Sequence, residues 1–474
     1  MEYRINESNK LKLDKEENWK EECGIAGIYA PKQDVSRLMY YCLYALQHRG
    51  QESAGISVAD QNISTTKGMG LAGEIFDNEK IAALKGHSSI GHVRYSTSGE
   101  STVVNAQPLT VTCRLGQLSF AHNGNLVNAA SLRRELEEKG TIFQTTSDSE
   151  ILAHLLARSG VDDLEKALKK VVPTIQGAYT FVILTASKLI AFRDPYGFRP
   201  LSVGKLENGY TVASETCAFD TIGAKHLFDV KPGEMVIIDG NGHRRENLIQ
   251  KKKYSLCIFE YIYFARPDSN LDGRNVHTVR KELGKEISKE IDFSADLVSG
   301  VPDSSLSAAS GVAESLNLPY ELSLIKNRYI GRTFINPSQE MRDIGVKLKL
   351  NPVEQTVSGR RIILVDDSIV RGTTIGKLVN MLKKSGAKEI NVLITSPPVK
   401  HPCFYGIDTS IESELLANKY TQSEMAELIG ADSLHFLSIE GMERAVSRVA
   451  GSEEISHCKA CFDGNYPVLE EGGR

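Results

Sequence analysis

In Ile362-Ile-Leu-Val-Asp-Asp-Ser-Ile-Val-Arg-Gly-Thr-Thr374 an apolar run meets two acids and then a glycine–threonine loop. Ile362 to Val365 suit a strand buried on both faces. Asp366 and Asp367 follow where a core strand stops, and the loop carries Ser368, Gly372, Thr373 and Thr374. Ile375, Leu378, Val379 and Leu382 then recur at i, i+3, i+4 and i+7, one face of a helix. Gly386, behind Lys383 and Lys384, is a helix stop, and Ile390-Asn-Val-Leu-Ile394 restarts a strand. The pattern predicts a β–loop–α–β unit of a parallel sheet.

Ligands of open parallel sheets bind beyond the carboxyl ends of the strands, often with a phosphate on a helix N-terminus. The loop amides and the Thr373 and Thr374 hydroxyls suit a phosphate. Two carboxylates repel a bare phosphate, so Asp366 and Asp367 call for a sugar diol, a magnesium ion, or both. A ribose carrying a 5-phosphate meets that mixed demand. A P-loop is excluded: Gly372-Thr-Thr-Ile-Gly376-Lys377-Leu378 has the wrong spacing and no hydroxyl after the lysine. The plain alternative is an Asp-Asp turn closing an ordinary strand.

Val365-Asp-Asp-Ser-Ile-Val-Arg-Gly-Thr-Thr374 resembles the phosphoribosyl pyrophosphate (PRPP) motif of type I phosphoribosyltransferases, in the wording of the amidophosphoribosyltransferase family. The resemblance implies PRPP contacts from Asp366, Asp367, Ser368, Arg371, Gly372, Thr373 and Thr374, with Mg2+ at Asp366 and Asp367. Asp296-Leu-Val-Ser-Gly-Val-Pro-Asp-Ser-Ser305 is a second strand-to-loop segment, followed by Leu306, Ala309, Ala313 and Leu316 on one helical face. Read alone it is a simple strand–helix turn. By resemblance Val301, Pro302, Asp303 and Ser304 are the pyrophosphate loop, with Ser304 near the Mg2+. The long 326–353 stretch carries Lys326, Arg328, Arg332, Arg342, Lys347 and Lys349, a charge suited to a lid over pyrophosphate. In the resembled family this loop closes the site and helps form an ammonia channel.

A chain of 474 residues is too long for one comfortable core, so two domains are expected. Hydrophobic (41%) and charged (24%) fractions are those of an ordinary globular protein, and a net charge of −4 gives no field for nucleic acid. Eight cysteines are too sparse for a disulfide scaffold and suit a reducing cytoplasm. No apolar run approaches a membrane span.

Twelve of residues 1–22 are charged and none forms an apolar signal core, so this segment reads as a solvated tail. Cys23-Gly-Ile-Ala-Gly-Ile-Tyr29 begins the folded region. A free cysteine is usually a small buried hydrophobe, but cleavage between Glu22 and Cys23 sets an α-amine beside the thiol as its general base. Further segments match, in order, the glutaminase half of the same family. They are Gln47-His-Arg-Gly-Gln-Glu-Ser53, Gly91-His-Val-Arg-Tyr-Ser-Thr97, Asn105-Ala-Gln-Pro108, His122-Asn-Gly-Asn125, Ser147-Asp-Ser149 and Arg193-Asp-Pro-Tyr-Gly-Phe-Arg-Pro200. The resemblance makes Cys23 the nucleophile and places Arg49 in a loop against the site. Arg94 suits the α-carboxylate of glutamine, Asp148 its α-ammonium, and Asn123 with the Gly124 amide the oxyanion. Alone, Asn-Gly is a hairpin signal, and His48, His92 and His122 read as structural.

Helical spacing over 126–139 and 151–157, and strands over 178–184 and 189–192, fit the implied N-terminal-nucleophile (Ntn) hydrolase fold, an αββα sandwich. The expected division is a cleaved pro-segment 1–22, an amidotransferase domain 23–253 and an α/β phosphoribosyltransferase domain 254–474. Cys257, Cys403, Cys458 and Cys461 form a constellation that holds zinc or an iron–sulfur cluster equally well by ligand type. Their positions match the iron–sulfur branch of the family, which implies a 4Fe–4S cluster; Cys42, Cys113 and Cys217 remain as core thiols.

Together the resemblance implies glutamine-dependent pentosyl transfer: PRPP, glutamine and water give 5-phosphoribosylamine, glutamate and pyrophosphate, the first step of purine synthesis. It also implies autocatalytic removal of the pro-segment, feedback by purine nucleotides and a cytoplasmic homotetramer. Amidotransferases acting on sugar phosphates or making asparagine lack the Asp366–Thr374 motif. A PRPP-sensing regulator predicts a basic surface and no nucleophile, against the acidic balance and Cys23.

Overall fold

The computed structural model describes residues 23–95, 101–327, 350–407, 409, 412–451 and 456–469. Described residues within 20–282, 401–410 and 443–474 pack as one compact unit, and those within 283–400 and 411–442 as another.

In the first unit apolar residues occupy both faces of most strands, which demands cover on each side. One antiparallel sheet contains β1 (Gly24–Tyr29), β2 (Ser53–Ala59), β3 (Ile63–Met69), β4 (Ser88–Arg94) and three later strands. The other contains β5 (Leu109–Cys113), β6 (Gly116–Leu126), β7 (Gly177–Leu184), β8 (Leu189–Arg193) and two more. The later strands are β9 (Ser202–Leu206), β10 (Gly209–Ala213) and β11 (Lys225–Asp229) of the first sheet, then β12 (Glu234–Asp239) and β13 (Gly242–Asn247) of the second. The orders are β11-β9-β10-β1-β4-β2-β3 and β13-β12-β8-β7-β6-β5.

Alternation along β1 shows the layering. Ile25 and Tyr29 share a core with Val182, Leu189 and Val236 of the second sheet. Ala26 and Ile28 face the other way, onto Met39 and Leu43 of the helix Val35–Ala45. On the far side Phe120, Phe181 and Ile183 meet Leu152 and Leu156 of the helix Glu150–Ala157. The result is the expected αββα sandwich. The sheets come so close that a Cβ on Gly27 would lie 2.9 Å from Leu189 and Val182.

Asn123-Gly124 does not form a hairpin turn. It lies inside β6, which pairs with β7 from Ser119↔Leu184 to Leu126↔Gly177. Gly124 serves a close approach instead, since a Cβ there would meet the Ala178 carbonyl oxygen at 2.1 Å. Leu126, expected in a helix, ends this strand, and the helix is Ala129–Glu138. The first unit runs past the boundary expected after 253, because Glu260 pairs with Arg49 and Arg280 donates to the Tyr261 carbonyl. Short strands β14 (Leu256–Cys257), β15 (Asn270–Leu271) and β16 (Arg274–Asn275) lie in this extension.

The second unit is a parallel sheet of β17 (Leu297–Gly300), β20 (Arg361–Asp366), β21 (Glu389–Ile394) and β22 (Ser433–Phe436), in that order. Ile362, Leu364, Ile390 and Val392 pack against Ile375, Leu378, Val379 and Leu382 of the predicted helix, Thr373–Lys384. The ends of the expected lid zip together as β18 (Leu324–Lys326) and β19 (Leu350–Pro352). Arg328, Arg332, Arg342, Lys347 and Lys349 lie outside the described residues, as does the pro-segment. A last strand, β23 (His457–Cys458), returns to pair in parallel with β14. No helix among the described residues is long and apolar enough to cross a membrane.

Candidate functional site

Cys23 immediately precedes β1, whose antiparallel register sets Gly24 opposite Val93 and so brings the cysteine to Arg94 at the end of β4. The space is tight: a Cβ on Gly24 would meet Val93 at 2.8 Å, and one on Gly50 would meet the Val93 main chain at 2.6 Å. The Cys23 thiol is buried and donates to the Tyr95 carbonyl at 3.5 Å. Burial pushes its pKa up, the Tyr95 contact and Arg94 pull it down, and Asp148 and Glu52 push it up again. Thiol, guanidinium and carboxylate therefore share one buried electrostatic neighbourhood.

Asn123 and Gly124 come from β6, which is tied to β4 where the His92 ring meets the His122 carbonyl at 3.1 Å. Asn123 is 1% exposed, and its Nδ2 finds no acceptor among the described residues. A buried amide donor without a partner is costly, and a developing oxyanion is one group that satisfies it. Asp148 Oδ2 accepts from the Leu126 amide at 2.9 Å. Burial raises the Asp148 pKa, but His122 and the Leu126 amide outweigh it and hold the carboxyl below its usual range.

His48, His92 and His122 are structural, as read from sequence. His122 stacks on Phe181 at 4.2 Å and contacts Ser149 Oγ at 2.9 Å, while burial pushes His92 down to about 3. Arg49 does something the sequence did not suggest. Its Nε donates to the Cys23 carbonyl at 3.2 Å, and the rest of its guanidinium is gripped by Glu215 (2.6 Å) and Glu260 (2.7 and 2.9 Å). Neither carboxylate stands in a motif, so no local signal announces them. Gln107, inside the quoted Asn105–Pro108 segment, accepts from the His122 amide at 2.7 Å and donates to Ser149.

The second unit brings its two predicted loops together beyond β17 and β20. Ser304 donates to Asp367 at 2.6 Å and Ser305 to Asp366 at 2.9 Å. Ser305 was not singled out in the sequence; it adjoins Ser304. Ser368 donates to Asp367, and Val301 anchors its loop by donating to the Val365 carbonyl at 2.9 Å. Burial, then the neighbouring Asp367, push Asp366 well above the ordinary carboxylate range. A cation or diol hydroxyls at this pair would relieve that repulsion. Gly372 has φ +78° and caps the helix Thr373–Lys384, whose first residue keeps a buried hydroxyl with no partner among the described residues. Arg371 pairs with Glu414, and the exposed Asp303 with Lys326 at 2.7 Å.

Cys257, Cys403, Cys458 and Cys461 line a single pocket with Phe198, Tyr405 and Tyr466. Burial and then the other thiols push Cys461 well above the usual thiol range; Cys257 is raised to about 11 by burial, against the pull of Arg199. The Tyr405 amide donates to Cys403 Sγ at 3.4 Å. Among the described residues no group of three or more His, Cys, Asp or Glu closes around the position of a single metal ion. The donor set fits a thiolate-ligated centre: three buried cysteines and the half-buried Cys403, an apolar wall and an amide aimed at one sulfur. Cys42 and Cys217 are buried core thiols, while Cys113 is only half-buried.

A glutamine amidotransferase domain model matches residues 92–221 and a phosphoribosyl transferase domain model residues 270–396. The chain is 51% identical over 450 residues to the amidophosphoribosyltransferase of Bacillus subtilis, covering 94% of each sequence. It is 47% identical to that of Archaeoglobus fulgidus, covering 95% of this chain and 99% of the relative. Among solved structures it is similar to the B. subtilis glutamine PRPP amidotransferase complexed with ADP and GMP. There the TM-score is 0.88 and the identity 50%, with 94% of this chain and 97% of that one covered.

Proposed function

The chain belongs to the amidophosphoribosyltransferase family, and from that premise we propose how its residues divide the family's reaction. That reaction converts PRPP, glutamine and water to 5-phosphoribosylamine, glutamate and pyrophosphate, the first step of purine biosynthesis. Its glutamine half belongs to the sandwich and its pentosyl transfer to the parallel sheet.

The observation that carries the reading is the shared field of Cys23, Arg94 and Asp148. Arg94 takes the α-carboxylate of glutamine and Asp148 its α-ammonium, which sets the carboxamide carbon against the thiol. Because burial raises the Cys23 pKa, the thiol does not ionise by itself at neutral pH. Removal of residues 1–22 frees the Cys23 amine, which takes the thiol proton as the sulfur attacks. Asn123 Nδ2 and the Gly124 amide donate to the oxyanion, ammonia leaves, and water hydrolyses the thioester.

At the second site the Gly372–Thr374 amides and the Thr373 and Thr374 hydroxyls hold the 5-phosphate, and Val301 to Ser304 the pyrophosphate. Arg371 adds positive charge at the phosphate end. Asp366 and Asp367 orient the ribose hydroxyls, and with Ser304 they would hold Mg2+, which when bound supplies charge neutralisation for the departing pyrophosphate. Ammonia then attacks C1. Cys257, Cys403, Cys458 and Cys461 would hold a 4Fe–4S cluster, which supplies structural cross-linking. The ADP and GMP of the B. subtilis complex support regulation of this chain by purine nucleotides as well. A cytoplasmic homotetramer is the assembly and location proposed.

Cys23→Ala should abolish glutamine-dependent synthesis while leaving ammonia-dependent synthesis from PRPP. Equal loss of both would refute this division of labour.

A further inference from the structure

Arg49 was expected at the glutamine site, yet its guanidinium is spent on protein groups. It is 1% exposed, its Nε holds the Cys23 carbonyl at 3.2 Å, and its other two nitrogens form a fork with Glu260 at 2.7 and 2.9 Å. Glu215 closes the remaining side at 2.6 Å, and is itself held by His48 (2.7 Å), Ser269 (2.6 Å) and the Arg266 amide (2.9 Å). The two carboxylates differ in what anchors them. Glu215 follows β10 within the sandwich, whereas Glu260 opens a wide π-helical turn, Glu260–Phe264, three residues beyond Cys257. Arg199, which donates to the Tyr405 carbonyl, stands 3.9 Å from Glu260 Oε1, the oxygen that also accepts from Arg49.

We propose that Glu260 is a positioning residue for the nucleophile, acting through Arg49 on the Cys23 carbonyl. The proposal rests on the reading of Cys23 as nucleophile. Cys23 is the first residue of the mature chain under that reading, so its main chain lacks an anchor on its N-terminal side. The Arg49–carbonyl bond supplies one, and a bidentate fork fixes the guanidinium plane in a way a single contact does not. Glu260 does not touch glutamine. Losing it lets Cys23 shift without removing Arg94 or Asp148, so turnover falls while glutamine binding persists. It also removes the negative charge that offsets Arg49 beside the Cys23 carbonyl, which lowers the pKa of the Cys23 ammonium and moves the acid limb of the glutaminase profile to lower pH.

The test is Glu260→Gln beside Cys23→Ala, both in the full chain. We expect Glu260→Gln to lower glutamine-dependent kcat by about tenfold or more, with glutamine KM within about threefold and ammonia-dependent synthesis near wild type. Alkylation of Cys23 by iodoacetamide, followed by peptide mass, should slow in parallel, and the acid limb should move down in pH. Equal loss of both syntheses with an unmoved pH profile would make Glu260 merely structural and overturn the proposal. If Glu260→Gln does not fold, Glu260→Asp decides: it keeps the charge but retracts the fork, so kcat falls with the pH profile unchanged, and wild-type kcat overturns the idea. Glutamine-dependent turnover surviving in Cys23→Ala would instead overturn the underlying reading, whatever Glu260 does.

Discussion

The amide of Asn123 has its Nδ2 buried without a partner among the described residues, a position that stability alone disfavours. Asn123→Ala should therefore cost little stability but lower glutamine-dependent kcat by about 10²- to 10³-fold, with KM nearly unchanged, in steady-state assays. Asp367→Ala should weaken PRPP binding while leaving basal glutaminase turnover; unchanged PRPP affinity in a titration would reject the site. Both residues were readable from sequence because their chemistry sits in a short motif. Glu215 and Glu260 were not. They meet one arginine from 166 and 211 residues away, and a lone glutamate carries no sign of that meeting.

Elements were legible where period and chemistry agreed. The apolar run at Ile362 and the helical spacing from Ile375 gave β20 and its helix almost to the residue. Asn123-Gly124 was ambiguous because the same dipeptide serves a tight turn and a close strand approach, and only the β7 partner decides. The segment before the helix Glu150–Ala157 shows how an element places a site residue. Glu150 accepts from the Gln144 and Thr145 amides at 2.9 and 2.7 Å, folding the chain that presents Asp148. Burial raises the Glu150 pKa, but His154 and these amides outweigh it and bring the carboxyl to about 2. A carboxyl held below its unfolded value stabilises the fold above the unfolded pKa and loses that contribution as pH falls through the folded one. Glu150→Gln should thus cost about 1 kcal/mol near neutral pH. In denaturant titrations the gap from wild type should close between about pH 4 and pH 2. A gap independent of pH would mean that the ionised carboxylate is not what holds the loop.

At the scale of the molecule, the chain leaves the sandwich unit after Glu282 and re-enters it twice, within 401–410 and 443–474. Each return brings cysteines to the pocket: Cys403 first, then Cys458 and Cys461. Beyond the helix Ile439–Arg448, the regular structure of the last return among the described residues is the two-residue β23 and the four-residue helix Ala460–Asp463, both too short to persist alone. A centre bound by all four thiolates would convert its binding energy into order for this tail. It would also steady the turn after Cys403, where the Phe404 carbonyl accepts from Asn125 at 2.9 Å and the Tyr405 carbonyl from Arg199. Arg199 stands beside Glu260, which grips Arg49, so one route leads from the pocket to the Cys23 carbonyl. Cys461→Ser should accordingly lower bound iron from about four per chain, the cluster's own stoichiometry. It should expose the segment beyond Arg448 to limited proteolysis and slow iodoacetamide labelling of Cys23. Stoichiometric zinc in the wild-type protein would overturn the cluster assignment. Unchanged proteolysis and labelling in a variant that has lost its iron would show that the tail and Cys23 hold their places without it.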